Sequence, residues 1–204
     1  TVLTASACAR NYGEIDPGSL PGNVVVKVPT LVTDMTPLSA CLTASQGVDA
    51  LARAFDQLDP DVVVTVADRY ETLATAYVAV LQNRRLVHVQ AGEVSGNVDN
   101  RIRHAVTQLS DACCCATADA AVRALSMRGH GVHITGCPSI DLARRACFSQ
   151  PFISPALDGV GTGAPIDLAG PYVVGLQHPT TDEWERSAEH VTLTLEAMAR
   201  VSAP

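Results

Sequence analysis

Between residues 61 and 148, short apolar runs alternate regularly with segments of helical spacing, and this alternation constrains the fold more than any other feature of the chain. The run Asp61–Val66 is apolar after its first residue apart from Thr65, and a nearly continuous apolar run is typical of a parallel strand buried on both faces. Further strands are predicted at 86–90, 112–116 and 132–135, and helices at 69–82, 99–109, 118–127 and from Pro138. Repeated strand–helix units predict an α/β fold with a Rossmann-like, doubly wound parallel sheet.

The flanking segments extend this prediction. Strands are expected at 2–4 and 24–28 and a helix at 37–58, and one further strand–helix pair is expected at 171–178 and 182–200. Residues 147–170, which precede this last pair, are rich in Pro, Gly, Ser and Ala and lack periodicity, which predicts a linker. The expected domains are 1–147 (Rossmann-like, N-terminal), 148–170 (linker) and 171–204 (the first βα unit of a second Rossmann-like domain).

Composition narrows the possible partners. With a net charge of −7, the chain lacks the basic balance of a nucleic-acid-binding protein. No apolar run approaches the roughly 18 residues that span a bilayer, and the first residues do not resemble an export signal. The seven cysteines match no zinc-binding spacing, so we expect buried thiols in a reducing cytoplasm. The cysteines are Cys8, Cys41, Cys113, Cys114, Cys115, Cys137 and Cys147.

Charged side chains follow the first buried strand of the alternating region. Asp68 and Glu71 are candidates for general acid–base work, and Arg69 could grip a diphosphate through paired hydrogen bonds. The structural alternative is an ordinary capping arrangement, with Asp68 as the N-cap and Glu71 at the third helical position. The two roles do not exclude each other.

The next strand is followed by a glycine-containing loop, 90–96, and then by a short helix that carries Asp99, Arg103 and His104. Glu93 in this loop is a second acidic group, although the loop could also be a plain connection. Asp99 and Arg103 are four residues apart, which favours either a surface ion pair or a pair in which Arg103 orients Asp99. Two carboxylates brought close together would raise the pKa of one of them, as proton transfer requires.

Two candidates lie further along the chain. His178 follows the strand predicted at 171–178, and could be either a structural or a functional histidine. The turn 136–141 could hydrogen-bond a ligand at a helix N-terminus, although this signal is weak by itself.

Taken together, these segments resemble the UDP-N-acetylglucosamine 2-epimerase family, particularly its hydrolysing branch. The resemblance rests on five ordered motifs: ADRYETLA at 67–74, HVQAGEVS at 88–95, VDNRIRHAVTQLS at 98–110, GCPSID at 136–141 and QHPTT at 177–181. It implies a GT-B-like N-terminal domain with only the start of a second domain.

The resemblance also implies a reaction. The C2 proton of UDP-N-acetylglucosamine is removed, UDP is expelled through a 2-acetamidoglucal intermediate, and water adds to give N-acetylmannosamine, a precursor of sialic acids or surface polysaccharides. Neither a metal nor a nicotinamide cofactor is implied, and the expected partners are the nucleotide sugar, UDP and further copies of the chain, with no nucleic acid and no membrane. The catalytic set would be Asp68, Glu93, Asp99, Arg103 and His178, and the substrate-binding set Arg69, Glu71, Gln90, His104 and Ser139.

The chain also departs from the family pattern. Gln90 occupies a position where the family commonly has Glu, Ala67 replaces a Gly, and an initial strand and most of the second domain are absent from the sequence. We therefore expect a chain truncated at both ends that binds and turns over UDP-N-acetylglucosamine poorly. Two other functions remain open: a non-catalytic binding or regulatory partner, and a GT-B glycosyltransferase.

Overall fold

The computed structural model describes residues 2–4, 25–28, 36–148, 172–178 and 183–201. The chain divides into two compact units, the first ending at Pro138 and the second beginning at Ser139, and each is described by itself. The domain and linker boundaries expected from the sequence remain predictions.

The first unit contains six strands and four complete helices among its described residues. The strands are β1 (Val2–Thr4), β2 (Val25–Lys27), β3 (Val62–Val66), β4 (Arg85–Val89), β5 (Ala112–Cys115) and β6 (Val132–Ile134), and the helices are α1 (Pro37–Leu58), α2 (Tyr70–Leu81), α3 (Val98–Leu109) and α4 (Ala118–Arg128). Each lies within one or two residues of its predicted position, and the α/β class with a Rossmann-like parallel sheet is confirmed.

All strand pairs among the described residues are parallel, and they form two separate sheets. β1 pairs with β2, and the other four strands follow one another in the order β3-β4-β5-β6. In the larger sheet Val66 lies opposite Val89, and Val89 lies opposite Cys114, so three strands end at nearly the same level. The residues that follow β3 and β4 therefore emerge side by side at the carboxyl edge of the sheet.

Helix α1 shows how the local sequence sets an element's bounds. Thr36 caps its start: the Thr36 hydroxyl accepts from the backbone N–H of Ser39 at 3.1 Å, while the Ser39 hydroxyl accepts from the backbone N–H of Thr36 at 2.9 Å. Pro37 occupies the first turn, where its missing N–H costs nothing. The helix ends at Asp59, whose φ of 47° leaves the helical region.

The main core lies between the four-stranded sheet and helices α1, α2 and α3. Its buried residues are Val28, Leu51, Ala54, Phe55, Val63, Ala74, Ala76, Val78, Ala79, Leu86 and Val106. A smaller cluster joins β5 to α4 through Cys113, Cys115, Ala120 and Ala124. The small side chains on α2 let that helix lie close to the sheet and to α1.

The expectation that the first buried strand is covered on both faces is wrong. Val63 and Thr65 are buried, whereas Val62, Val64 and Val66 are exposed by 46%, 60% and 51%. Right-handed connections between strands added successively in one direction put their helices on a single face, and no described element covers the other face. A cavity of about 1030 Å³ also lies beside β3, lined by residues of β3, α1 and α2.

The second unit contains helix α5 (Pro138–Phe148), which starts at the boundary, a 3-10 turn at Trp184–Arg186 and helix α6 (Ser187–Met198). The strand predicted at 171–178 is wrong for the described residues 172–178, which form no strand and are exposed. A strand needs a hydrogen-bonded neighbour, and no described residue pairs with this segment. It contacts α6 instead, where the Thr194 hydroxyl donates to Oε1 of Gln177 at 2.8 Å.

The prediction of buried thiols holds only in part. Cys113 and Cys115 are fully buried, whereas Cys41 on α1 and Cys147 on α5 are exposed, and Cys8 lies outside the described residues. None of the helices in the described ranges is both long enough and apolar enough to cross a bilayer.

The core position of Phe55 gives a test of this packing. Phe55 is 2% exposed, so Phe55→Ala leaves a cavity among α1, α2 and β3 and should lower the free energy of unfolding by about 3–5 kcal/mol. Leu38→Ala on the same helix is the control, because Leu38 is 68% exposed and its loss should change stability by no more than about 0.5 kcal/mol. Urea unfolding followed by circular dichroism measures both, and equal losses would contradict the packing.

Candidate active site

Asp68 and Arg103 form an ion pair at the carboxyl edge of the sheet. Nη2 of Arg103, on α3, donates to Oδ2 of Asp68, which follows β3, although the two residues are 35 positions apart in sequence. The side chains of Arg103 and Asp68 are only 10% and 17% exposed, respectively, so this pair is shielded from solvent far more than a surface ion pair. A buried guanidinium needs a carboxylate partner, and Asp68 supplies it.

This pairing corrects two expectations from the sequence. Asp68 is not the cap of α2; the N-cap position belongs to Arg69, which makes no side-chain capping bond. Nor does Arg103 form its ion pair with Asp99, four residues earlier on the same helix; in the described part of the chain its carboxylate partner is Asp68. The capping pattern predicted a local partner for Asp68, and the i,i+4 spacing predicted one for Arg103. In the structure the two residues instead contact each other across distant segments of the chain.

Asp99 lies near this pair in the first turn of α3. Burial, and then the negative charge of Asp68, raise the pKa of Asp99, while the charges of Arg69 and Arg103 and a hydrogen bond from Asn97 act in the opposite direction. The charge of Asp68 thus acts on Asp99 in the direction expected for two neighbouring carboxylates, with burial as the larger cause. A carboxyl group whose pKa is raised keeps its proton to a higher pH than an ordinary aspartate, which is the direction that a general acid requires.

The loop after β4 is held in place by several polar contacts, which the sequence analysis missed. Arg123 of α4 donates from Nε to the carbonyl of Gly92 at 2.7 Å. Asn97 caps α3 by accepting from the backbone N–H of Asp99 at 3.1 Å, and it also accepts from the Ser95 hydroxyl at 3.0 Å. These contacts fix both ends of the segment that carries the half-buried Glu93.

Two further candidates, Arg69 and Glu71, bind each other. Arg69 donates from Nε and Nη2 to the two carboxylate oxygens of Glu71, at 3.1 and 3.2 Å. The Arg69 guanidinium also lies 5.2 Å from the centre of the Tyr70 ring. The side chain of Arg69 is 53% exposed and that of Glu71 is 19% exposed, so the arginine forms the solvent side of the pair.

Gln90 and His104 also lie in the first unit. Gln90 has a φ of 63°, and its Nε2 donates to Sγ of Cys137 at 3.5 Å. The Nε2 atom of His104 is buried without a hydrogen-bond partner among the described residues. Ser139 and His178 are exposed residues of the second unit, which is described by itself.

Comparison with known proteins identifies the family. The family model described as UDP-N-acetylglucosamine 2-epimerase matches residues 25–203, so the chain belongs to this family. It is similar to the UDP-N-acetylglucosamine 2-epimerase of Neisseria meningitidis serogroup B, with 34% identity over 138 residues, which cover 65% of this chain and 34% of the relative. It is also similar to the hydrolysing GDP/UDP-N,N'-diacetylbacillosamine 2-epimerase of Campylobacter jejuni, with 38% identity over 43% of this chain and 23% of the relative.

Solved structures agree in fold. A crystal structure of a UDP-N-acetylglucosamine 2-epimerase matches with a TM-score of 0.59 and 18% identity, over 77% of this chain and 52% of the other. The Neisseria meningitidis enzyme bound to UDP-GlcNAc matches with a TM-score of 0.51 and 21% identity, over 58% of this chain and 34% of the other. At these identities the likeness shows the fold, which is GT-B-like. The matched segments span about a third or less of the two curated relatives.

Glycine at position 92 is required by close packing, which gives a testable prediction. A Cβ atom at Gly92 would lie 2.1 Å from the backbone oxygen of Ala120, and φ is +73°. Gly92→Ala should therefore lower the free energy of unfolding by about 2–5 kcal/mol and displace the loop. Gly96→Ala is the matched control: φ is +80° but nothing lies within 4 Å, so only the backbone cost of about 1–2 kcal/mol applies. Equal losses in chemical unfolding would exclude the close contact.

The electrostatic coupling between Asp68 and Asp99 predicts a second outcome. In Asp68→Asn, the pKa of Asp99 should fall, because a repelling charge is removed and the charge of Arg103 is no longer compensated. A ¹³C NMR titration of the Asp99 carboxyl carbon measures the change. Asp119→Asn, at an exposed position in the first turn of α4, should leave the titration of Asp99 where it is. An unchanged midpoint in Asp68→Asn would show that the two carboxylates do not interact.

Proposed function

We propose that this site performs the proton transfers of a hydrolysing UDP-N-acetylglucosamine 2-epimerase. The C2–H bond breaks and its proton passes to a carboxylate, while the C1–O bond breaks and UDP leaves with that electron pair, so that a C1=C2 double bond forms in 2-acetamidoglucal. Water then adds, with hydroxyl at C1 and a proton at C2 on the opposite face, which gives N-acetylmannosamine. The observation that carries the proposal is Asp99, whose pKa is raised, beside the shielded Asp68–Arg103 pair.

The two aspartates differ in a way that suits this reaction. Asp68 is held as the anionic half of an ion pair with Arg103, whereas burial and the neighbouring charge favour the protonated form of Asp99. One carboxylate can therefore accept the C2 proton while the other donates a proton in the addition step. Glu93 on the adjoining loop is the third acidic group assigned to the site.

The remaining assignments concern substrate binding. Arg69 and His104 would contact the UDP portion: Arg69 is a cation at the solvent side of the site, and the buried Nε2 of His104 has no partner in the described structure. Glu71 and Gln90 complete the binding set from the first unit. Ser139 and His178 would contribute from the second, at the sugar or the diphosphate.

The comparisons support the substrate class. The chain belongs to the UDP-N-acetylglucosamine 2-epimerase family, one relative is a hydrolysing enzyme, and one protein of the same fold is bound to UDP-GlcNAc. We further propose that the protein acts in the reducing cytoplasm, consistent with its free thiols, that it associates with further copies of itself, and that its product enters sialic-acid or surface-polysaccharide synthesis.

A binding or regulatory role is the second candidate, and Gln90 favours it. A neutral amide cannot accept a proton as the carboxylate common at this position in the family would. Here the amide of Gln90 is directed to Cys137, so it is engaged within the protein. A GT-B glycosyltransferase is less well supported, because clustered carboxylates serve proton transfer rather than simple glycosyl transfer.

Incubation of the 204-residue chain with UDP-N-acetylglucosamine in deuterated water tests the function. We expect UDP release together with deuterium at C2 of N-acetylmannosamine, at a rate below the roughly 10 per second of a median enzyme because of Gln90. Asp68→Asn and Asp99→Asn should each lower this rate by about 10²- to 10⁴-fold, and Asp119→Asn should not change it.

The other outcomes separate the alternatives. Binding of the nucleotide sugar without C2 exchange would contradict the epimerase activity and support the binding or regulatory role. Release of UDP without C2 exchange would indicate glycosyl transfer. A folded chain that shows neither binding nor exchange would overturn the proposal altogether.

A further inference from the structure

His88 is a fully buried histidine to which the proposed chemistry gives no role. It lies on β4, and both of its ring nitrogens have partners. Nε2 is 2.8 Å from the backbone oxygen of Ala67, and Nδ1 is 3.2 Å from the hydroxyl oxygen of Thr107. A carbonyl oxygen can only accept, so Nε2 carries the hydrogen and donates it to Ala67. Burial lowers the pKa of His88, so the ring is neutral and Nδ1 accepts from the Thr107 hydroxyl.

The residue that His88 holds has an unusual backbone conformation. Ala67 has a φ of 67°, in the left-handed region that favours glycine. Its N–H donates to the carbonyl of Val89 at 3.0 Å, and its carbonyl accepts from His88, so both polar groups of this residue are fixed by β4. Ala67 directly precedes Asp68, so the orientation of its carbonyl sets the direction in which Asp68 leaves the sheet.

The same imidazole reaches the helix that carries the other half of the ion pair. Thr107 lies four residues after Arg103 on α3, and therefore on the same face. Two links thus join the end of β3 to α3: the charged link from Asp68 to Arg103, and the neutral link from Ala67 through His88 to Thr107.

We propose that His88 is a positioning residue that aims the Asp68 carboxylate at Arg103 and Asp99 by holding the carbonyl of Ala67. It does not touch the substrate. The catalytic consequence rests on the proposed function, whereas the positioning itself is a property of the folded chain and can be measured without any activity.

Two polar variants of similar chemistry separate positioning from general stability. The amide nitrogen of His88→Gln can occupy the place of Nε2 and still donate to Ala67, whereas the shorter side chain of His88→Asn reaches only the place of Nδ1, near Thr107. In the His88→Asn variant Asp68 should turn away and the pKa of Asp99 should fall towards its ordinary value; in the His88→Gln variant the pKa of Asp99 should stay raised. A ¹³C titration of the Asp99 carboxyl measures this, with unfolding by urea recorded for both variants.

Kinetics adds a second readout if the chain turns over UDP-N-acetylglucosamine. We expect kcat to fall by about 100-fold in His88→Asn with little change in KM, and to be largely restored in His88→Gln. Equal losses of kcat in the two variants, or equal shifts of the Asp99 titration, would show a structural role only and overturn the proposal.

The unmodified chain provides a test that does not depend on the folding of a variant. A long-range ¹H–¹⁵N spectrum of the histidine rings should show His88 neutral with its hydrogen on Nε2. A hydrogen on Nδ1 would mean that Ala67 receives no hydrogen bond, and the proposal would fail. If the chain is inactive but the tautomer and the Asp99 titrations are as expected, the proposed function fails and the positioning role of His88 stands.

Discussion

The site depends on the register in which three parallel strands end. The ladder continues one residue beyond β3 and β4: the N–H of Ala67 donates to Val89, and the N–H of Gln90 donates to Cys114. Both residues have a positive φ, in the left-handed region. Each chain segment therefore leaves the sheet directly after a residue whose N–H is hydrogen-bonded to the adjacent strand. This geometry brings the segments that carry the acidic candidates after β3 and β4 to one edge, where α3 adds Asp99 and Arg103, the partner of Asp68. If the strands ended at different levels, the loops that carry these side chains would lie apart, and the side chains would not form one site.

The fold could be predicted from the sequence because its signals are local. Periodicity and capping residues define α1, and short runs that are mainly apolar define β3 to β6, so no information about distant contacts is needed. The errors arose where a distant partner decides the outcome. The segment 172–178 is as apolar as a strand but has no strand beside it among the described residues, and the second face of β3 is covered only if some other element packs there. A single sequence does not show which other elements pack against a given strand.

The sequence predicted which residues lie at the candidate site, but it did not predict which of them pair with each other. Asp68, Asp99 and Arg103 could be expected at one edge because strand ends in a parallel sheet converge. Their pairing could not, since helix rules favour partners four residues apart, whereas Arg103 is buried and takes the carboxylate that faces it across the sheet edge. His88 was hidden for the same reason: within a strand it reads as one residue of a motif, and only its contacts with Ala67 and α3 reveal what it does.

The incomplete cover of β3 has a practical consequence for work with the isolated chain. Its outer edge has no strand partner in the described ranges, and three half-exposed valines line its open face. Unpaired backbone next to β-branched side chains is a template on which another molecule can add a strand. Purified preparations should therefore become turbid as the concentration rises, and mild solubilising additives or a charged substitution at Val64 should delay this aggregation.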